Sequence, residues 1–383
     1  MTAPRSSSAL ASALLLVLAF SLVGRGRDAP AQDPTEGASE DAALVQQYVA
    51  PAVGPGGAQG AAVAVVRDGR SHYFNFGTRN EAGDPVTPDT IFEIGSVTKV
   101  FTTALLGMAV NAGQMNLDDA IVQYLPPGVT LRPRARQVTL LELADFTSGL
   151  PDDPPDLPPR LEMRGVEHYS VADLMRFFES WEPAVLPAPY RYSNIGVGLL
   201  GVLIANHAGR PWTELVRTSI TEPLGMKDTA ERVPDDARDR LARGHHPNGE
   251  PALPWPIYAW APAGALRSTA RDMARFAAAS LGEASLDGVP IPADLRAGIA
   301  LAERPQYRMP NGVLFQALAW VVRPFRAEED NPLRIIFKDG GTDGFSGWIG
   351  VNPGKRFGVV ILMNTSRQRP GDHGMQIIGH MSR

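Results

Sequence analysis

The chain has 383 residues, 44% hydrophobic and 20% charged, enough for one large domain or two smaller ones with a real core and unlike a disordered chain. Its net charge of -5 is spread over both signs without a dense basic run, which argues against nucleic acid as a partner. With no cysteine there can be no disulfide, thiol nucleophile, cysteine-held metal or lipid anchor on cysteine.

Arg5 opens a short positive region, residues 9–23 carry no charge, and Ala29-Pro30-Ala31 offers small residues at a cleavage point. That apolar run is shorter than the roughly 20 residues that span a bilayer. Residues 1–31 are therefore expected to be a cleaved secretory signal, with an uncleaved anchor as the alternative. Residues 32–42, polar and acidic, are expected to form a flexible leader, and 43–383 the folded domain. An exported chain without disulfides fits a bacterial cell envelope, periplasmic or secreted, with no stable membrane anchor after cleavage.

The apolar run 61–67 ends at Asp68-Gly69, a hairpin signal, and 71–77 alternates as the returning strand. From 97 to 112, Phe101, Leu105, Met108 and Ala112 share one face, so a helix is predicted with Ser96 at its N-terminal end. A mostly helical insert is expected over about 131–261, with helices at 171–180, 195–208 and 212–220 between proline-rich loops such as Pro151-Asp152-Asp153-Pro154-Pro155. Another helix is predicted over 272–281, then strands over 314–323, 334–338, 345–351 and 358–363. Strands at both ends with helices between predict an α+β fold, its antiparallel sheet assembled from both chain ends.

Basic residues other than histidine are almost all arginine: only Lys99, Lys227, Lys338 and Lys355 are lysines. Arginine stays protonated in proteins, whereas a crowded or buried lysine can give up its proton, so a retained lysine is a candidate for proton transfer. Lys99 completes Ser96-Val97-Thr98-Lys99, a Ser-x-x-Lys pattern. One helical turn brings the amine to the hydroxyl, and a neutral lysine can activate a serine that is otherwise a poor nucleophile. Alone the motif is weak, since Ser96 also reads as a helix cap and Lys99 as a solvated side chain. Tyr192-Ser193-Asn194 and Lys338-Asp339-Gly340-Gly341 follow in the chain. Taken singly, Tyr192 reads equally as a core aromatic, Asn194 as a turn former and Lys338 as a surface strand residue.

With these three motifs in order, the chain resembles the class C β-lactamases and their relatives among penicillin-binding D-alanyl-D-alanine peptidases and esterases. The likeness runs over roughly residues 45–365. It includes Met115-Asn116-Leu117-Asp118-Asp119, the stretch 140–151, Glu222-Pro223-Leu224-Gly225-Met226-Lys227-Asp228-Thr229, Pro262-Ala263-Gly264-Ala265-Leu266-Arg267-Ser268-Thr269-Ala270 and 341–353. It implies a β-lactamase/transpeptidase-like fold and an acyl-enzyme on Ser96. Lys99 and Tyr192 would share the proton transfers, and Asn194 would bind a substrate amide. Lys338, Asp339, Gly340 and Gly341 would line the substrate site, the backbone N–H groups of Ser96 and Gly341 forming the oxyanion hole. No metal or organic cofactor is implied, and the partner would be a small-molecule or peptide substrate: a peptidoglycan stem peptide, a β-lactam or an ester.

Asp339 departs from the pattern, because many relatives place threonine or serine there to hold a substrate carboxylate. An ionised Asp339 facing the site would repel that carboxylate and remove a donor; the alternative is that it turns away or pairs with Lys338 or an arginine. On this ground a peptidoglycan-directed carboxypeptidase or endopeptidase, or an esterase-like hydrolase, is the first expectation, with a β-lactamase as the alternative. A non-catalytic binding protein on the same fold is the alternative from another class. His245-His246 lacks metal-ligand spacing, and Gly340-Gly341-Thr342-Asp343-Gly344 lacks the ending of a phosphate loop. No Gly-x-Ser-x-Gly elbow is present. Trp181, Trp255 and Trp260 read as core or rim packing. The tail after Asn364 looks short for the long C-terminal helix of relatives.

Overall fold

A strand without a polar side chain along most of its length needs cover on both faces, and residues 60–66 receive it. The computed structural model describes residues 34–155, 157, 169–256, 258–324 and 334–382. The expected signal segment 1–31 lies outside them. Helix α1 (Pro34–Tyr48) leads to β1 (Gly60–Arg67) and β2 (Arg70–Gly77), a hairpin turned at Asp68 and Gly69. Both turn residues have positive φ, as a tight hairpin requires. Next come β3 (Phe92–Glu93), α2 (Thr98–Asn111), α3 (Leu140–Ala144), α4 (Val171–Ser180), α5 (Asn194–Ala208), α6 (Trp212–Val216) and α7 (Glu222–Leu224). The chain continues through β4 (Arg267–Ser268), α8 (Ala270–Ser280), β5 (Ser285–Leu286), β6 (Val289–Pro290), α9 (Ala293–Ala302), β7 (Tyr307–Arg308), β8 (Phe315–Gln316) and β9 (Val321–Pro324). It closes with β10 (Arg334–Gly341), β11 (Ser346–Asn352), β12 (Phe357–Met363) and α10 (Pro370–Met381).

The main sheet is antiparallel and eight-stranded, in the order β2-β1-β12-β11-β10-β9-β8-β7, so the two chain ends meet at β1 and β12. Ala62, Ala64 and Val66 of β1 face the larger core with α2 and α8, whereas Ala61, Val63 and Val65 face Leu44, Val45, Ile377 and Ile378 of α1 and α10. Each valine so buried contributes about 1.5–3 kcal/mol relative to exposure, which explains why the strand reads as an unbroken apolar run. β3 and β4 form a separate two-stranded ladder beside the site.

Several expectations need correction. Residues 34–42 of the expected flexible leader belong to helix α1. Asp41 is fully buried there, 2.6 Å from Arg67 Nη2 and 2.7 Å from His72 Nδ1, and pins the helix to the hairpin. The strand expected over 314–323 is two short strands, β8 and β9, paired as a hairpin. Ala319 turns the chain at φ 58°, its N–H donating to the Ala144 carbonyl at 2.8 Å. The helix expected over 212–220 ends at Val216 and passes into a π-helical turn over Arg217–Thr221, next to Pro223, which has no N–H to continue the α ladder.

Among the helices that the sequence did not announce are α9 and α10. Both carry glycines that serve close packing. A Cβ on Gly107 of α2 would stand 2.1 Å from the Gly298 carbonyl oxygen of α9, so the two helices cross backbone to backbone. The tail after Asn364 holds a 12-residue helix after all, and a Cβ on Gly374 of α10 would lie 2.2 Å from the buried Trp348 ring of β11. Gly374→Ala is therefore expected to destabilise the protein by about 1–3 kcal/mol through overpacking, despite alanine's better helix propensity. A urea midpoint at or above that of the wild type would contradict this packing.

Candidate active site

Three chain segments converge at the end of β10. The first is a 3-10 turn, Gly95–Val97, that presents Ser96 at the head of α2. Gly95 has φ 50°, and a Cβ on it would stand 2.6 Å from the Gly341 nitrogen. A Cβ on Gly340 would lie 2.1 Å from the Ile94 carbonyl oxygen. Glycine at 95 and 340 thus lets the Ser96 turn lie directly against β10, with the Gly341 amide beside it.

The second segment is the loop before α5. Ser193 caps this helix, accepting from Gly196 N at 2.9 Å and donating to the Pro151 carbonyl at 2.6 Å. The middle residue of Tyr192-Ser193-Asn194 is therefore structural, and its capping sets its two neighbours. Phe146, itself at φ 68°, lies 4.8 Å from the Tyr192 ring and backs it. The third segment, 261–266, runs along α2, where Thr102 donates to the Pro262 carbonyl at 2.7 Å and Thr98 accepts from Leu266 N at 3.1 Å. Gly198 and Gly201 of α5 leave room for Trp260 and Pro262 on its other side.

The side chains meet as follows. Lys99 Nζ donates to Ser96 Oγ at 3.1 Å, Asn194 Oδ1 at 2.6 Å and the Ala263 carbonyl at 2.8 Å. The Tyr192 hydroxyl lies 2.9 Å from Ser96 Oγ. Lys99 and Lys338 sit 4.9 and 5.5 Å from the Tyr192 ring centre. Burial would raise the Tyr192 hydroxyl, but the Lys338 and Lys99 charges outweigh it and hold the phenol below its ordinary value. Burial, helped by the Lys338 charge, pulls Lys99 down against the attraction of Tyr192. Burial also opposes the Lys338 charge, yet Asp339 and Tyr192 prevail and hold its proton.

Asp339 is resolved between its two readings. Its Oδ1 is 3.1 Å from Lys338 Nζ, with the carboxylate 73% exposed over a lysine that is 4% exposed. Lys338 holds it below the usual carboxylate range, so it is ionised at neutral pH. It therefore pairs with Lys338 at the mouth of the site. Asn194 donates through Nδ2 to Asp152 Oδ1 at 2.9 Å and Asp153 Oδ1 at 3.3 Å. These aspartates and the Ala263 carbonyl escaped the sequence reading: the former sit in a stretch that reads only as a proline-rich loop, and a carbonyl has no side-chain signature. His245 is a buried strand connector bonded to the Asn364 carbonyl, and Trp260 is buried.

A serine hydroxyl between a phenol and an amine, with a second cation alongside, is an arrangement that suits acyl transfer. A family model described as Beta-lactamase matches residues 43–377. The chain belongs to the β-lactamase family. It is 30% identical over 335 residues to a β-lactamase of Pseudomonas fluorescens, covering 80% of this chain and 88% of that one. It is also 30% identical over 366 residues to a β-lactamase of Escherichia coli (strain K12), covering 88% and 92%. A solved class C β-lactamase superposes with a TM-score of 0.78 at 24% identity, covering 91% of this chain and 98% of that one, which establishes the fold. The protein is accordingly a serine hydrolase of the β-lactamase family with a class C β-lactamase-like fold.

Proposed function

We propose that the protein hydrolyses β-lactams through an acyl-enzyme on Ser96. The observation that carries this is Ser96 Oγ held between Tyr192 at 2.9 Å and Lys99 at 3.1 Å. The Tyr192 phenolate takes the Ser96 proton while Oγ adds to the lactam carbonyl. The backbone N–H groups of Ser96 and Gly341 receive the oxyanion. As the C–N bond breaks, the proton passes from Tyr192 to the lactam nitrogen, leaving an ester. Water then adds to the ester, losing its proton to Tyr192, which returns it to Ser96 Oγ as the acid leaves. The curated relatives are named β-lactamases, which moves this reading ahead of the peptidase expected from sequence.

Asp339 favours a second reading, a hydrolase of esters or peptides with no carboxylate near the scissile bond. A carboxylate drawn to Lys338 would meet Asp339, and two like charges about 4 Å apart repel by about 1 kcal/mol even in bulk water. Asp339→Thr is expected to raise kcat/KM for a chromogenic cephalosporin about tenfold, through KM, and to leave an uncharged nitrophenyl ester unaffected. An unchanged or slower cephalosporin reaction would contradict the repulsion. Turnover of the ester, with a cephalosporin giving a lasting adduct or none, would support the second reading. The natural site of action is proposed to be the bacterial envelope, resting on the expected signal segment.

A further inference from the structure

The Lys99 ammonium has three hydrogens, and one of its three acceptors is a main-chain carbonyl, that of Ala263. What fixes that carbonyl lies outside the three motifs. Glu93, three residues before Ser96, and Arg267, four residues after Ala263, face each other across β3 and β4, both buried. Arg267 Nη1 donates to the Ala265 carbonyl at 2.8 Å and the Glu231 carbonyl at 2.9 Å. Its Nη2 donates to Glu93 Oε1 at 3.1 Å and to the Trp255 carbonyl. Glu93 Oε1 also accepts from Trp255 N at 2.7 Å. One guanidinium thus ties the strand entering the nucleophile turn to the segment that carries the Ala263 carbonyl, and both to the loops at 231 and 255.

We propose that Arg267, locked by Glu93, is a positioning residue for catalysis: it holds the 263–265 backbone so that the Ala263 carbonyl keeps Lys99 protonated and aimed at Ser96. A solvated surface arginine would make one or two exchangeable contacts. This one spends four donors on four separate places, a task for a planar fork that lysine cannot reproduce. The inference rests on the Ser96–Lys99 catalytic reading but not on which substrate is cleaved.

The groups facing Lys99 are Tyr192 before α5, Lys338 and Asp339 of β10, and Asp152. Those facing Arg267 are Glu93, Glu231 and Tyr258. Loss of the carbonyl removes support from the Lys99 ammonium and leaves the others in place. Lys99 then gives up its proton more easily, and the Tyr192 phenolate loses a neighbouring cation at lower pH than before.

The test is the pH dependence of Ser96 modification by an aryl phosphonate ester, followed by intact mass, for wild type, Arg267→Met and Arg267→Lys. Arg267→Met is expected to slow modification about 100-fold, the scale of a misplaced catalytic group, and to move the alkaline limb to lower pH. Arg267→Lys, keeping the charge against Glu93, should recover part of both. A slowed reaction with an unmoved alkaline limb would overturn the proposal, since a merely structural loss lowers the rate without shifting the limb. If Arg267→Met does not fold, Glu93→Gln, which keeps an acceptor for Trp255 N, is expected to shift the limb in the same direction; an unmoved limb there overturns it equally. Wild-type labelling without turnover of cephalosporin or ester would count against the proposed function alone.

Discussion

Ser96→Ala is expected to lower kcat for the best substrate by about 10³-fold or more and to leave the fold intact. When residues act as a unit, removing the nucleophile costs nearly as much as removing them all, and what remains comes from binding and oxyanion stabilisation. The change deletes one hydroxyl that bonds to Lys99 and Tyr192. Lys99 is buried and Tyr192 half-buried, but each keeps the other neighbours that set its charge. A thermal midpoint close to that of the wild type, together with the rate loss, would locate the effect in chemistry. A drop of tenfold or less would mean that Ser96 is not the nucleophile.

The second large effect concerns Tyr192. Tyr192→Phe is expected to reduce kcat/KM by about 10²–10⁴-fold, the usual range for losing a positioned general base. It should also remove the acid limb of the pH profile. The sign follows from the lowered pKa: the phenolate is the reactive form, so the wild-type rate falls as pH drops through that value. Phenylalanine keeps the ring packed on Phe146 and preserves the cation contacts while removing the oxygen 2.9 Å from Ser96. A variant that keeps the acid limb would assign it to another group, with Lys99 the first candidate.

The parts legible in the sequence were those whose side chains carry a pattern. The Asp68-Gly69 turn between two strand-like runs gives the β1–β2 hairpin almost residue for residue. Helix α4 spans the expected 171–180, and its Ser170 and Asp173 form a reciprocal cap. The scarcity of lysine also has a physical meaning: Lys99 and Lys338 are buried in the site, whereas Lys227 and Lys355 are exposed. Helices α9 and α10 were hidden because glycine reads as a helix breaker, while Gly298 and Gly374 mark places where a backbone or Trp348 needs the room. Helix α1 is held to the hairpin by the buried Asp41, whose partners Arg67 and His72 lie far along the chain where no local pattern shows them. In the site, Ser96, Lys99, Tyr192 and Lys338 were readable as a series. The roles of the Ala263 carbonyl, Asp152 and Asp153 depend on how three distant segments fold together.

Asp339 shows how a residue can be identified in the sequence and still need the structure. Its charge was evident, but its direction was not. It is paired with Lys338 and largely open to solvent, so a carboxylate drawn to that ammonium would have to compete with it. On the proposed reading, Asp339 is expected to act on KM and substrate choice rather than on the covalent step.

The covalent step is tested most directly by mixing wild-type protein with a cephalosporin, quenching in acid at short times and measuring intact mass, followed by peptide mapping. The expected result is a transient increase equal to the acyl group, localised to Ser96 and decaying as product forms, with no increase in Ser96→Ala. Product formation with no adduct at any time, or an adduct that persists in Ser96→Ala, would contradict an acyl-enzyme on Ser96.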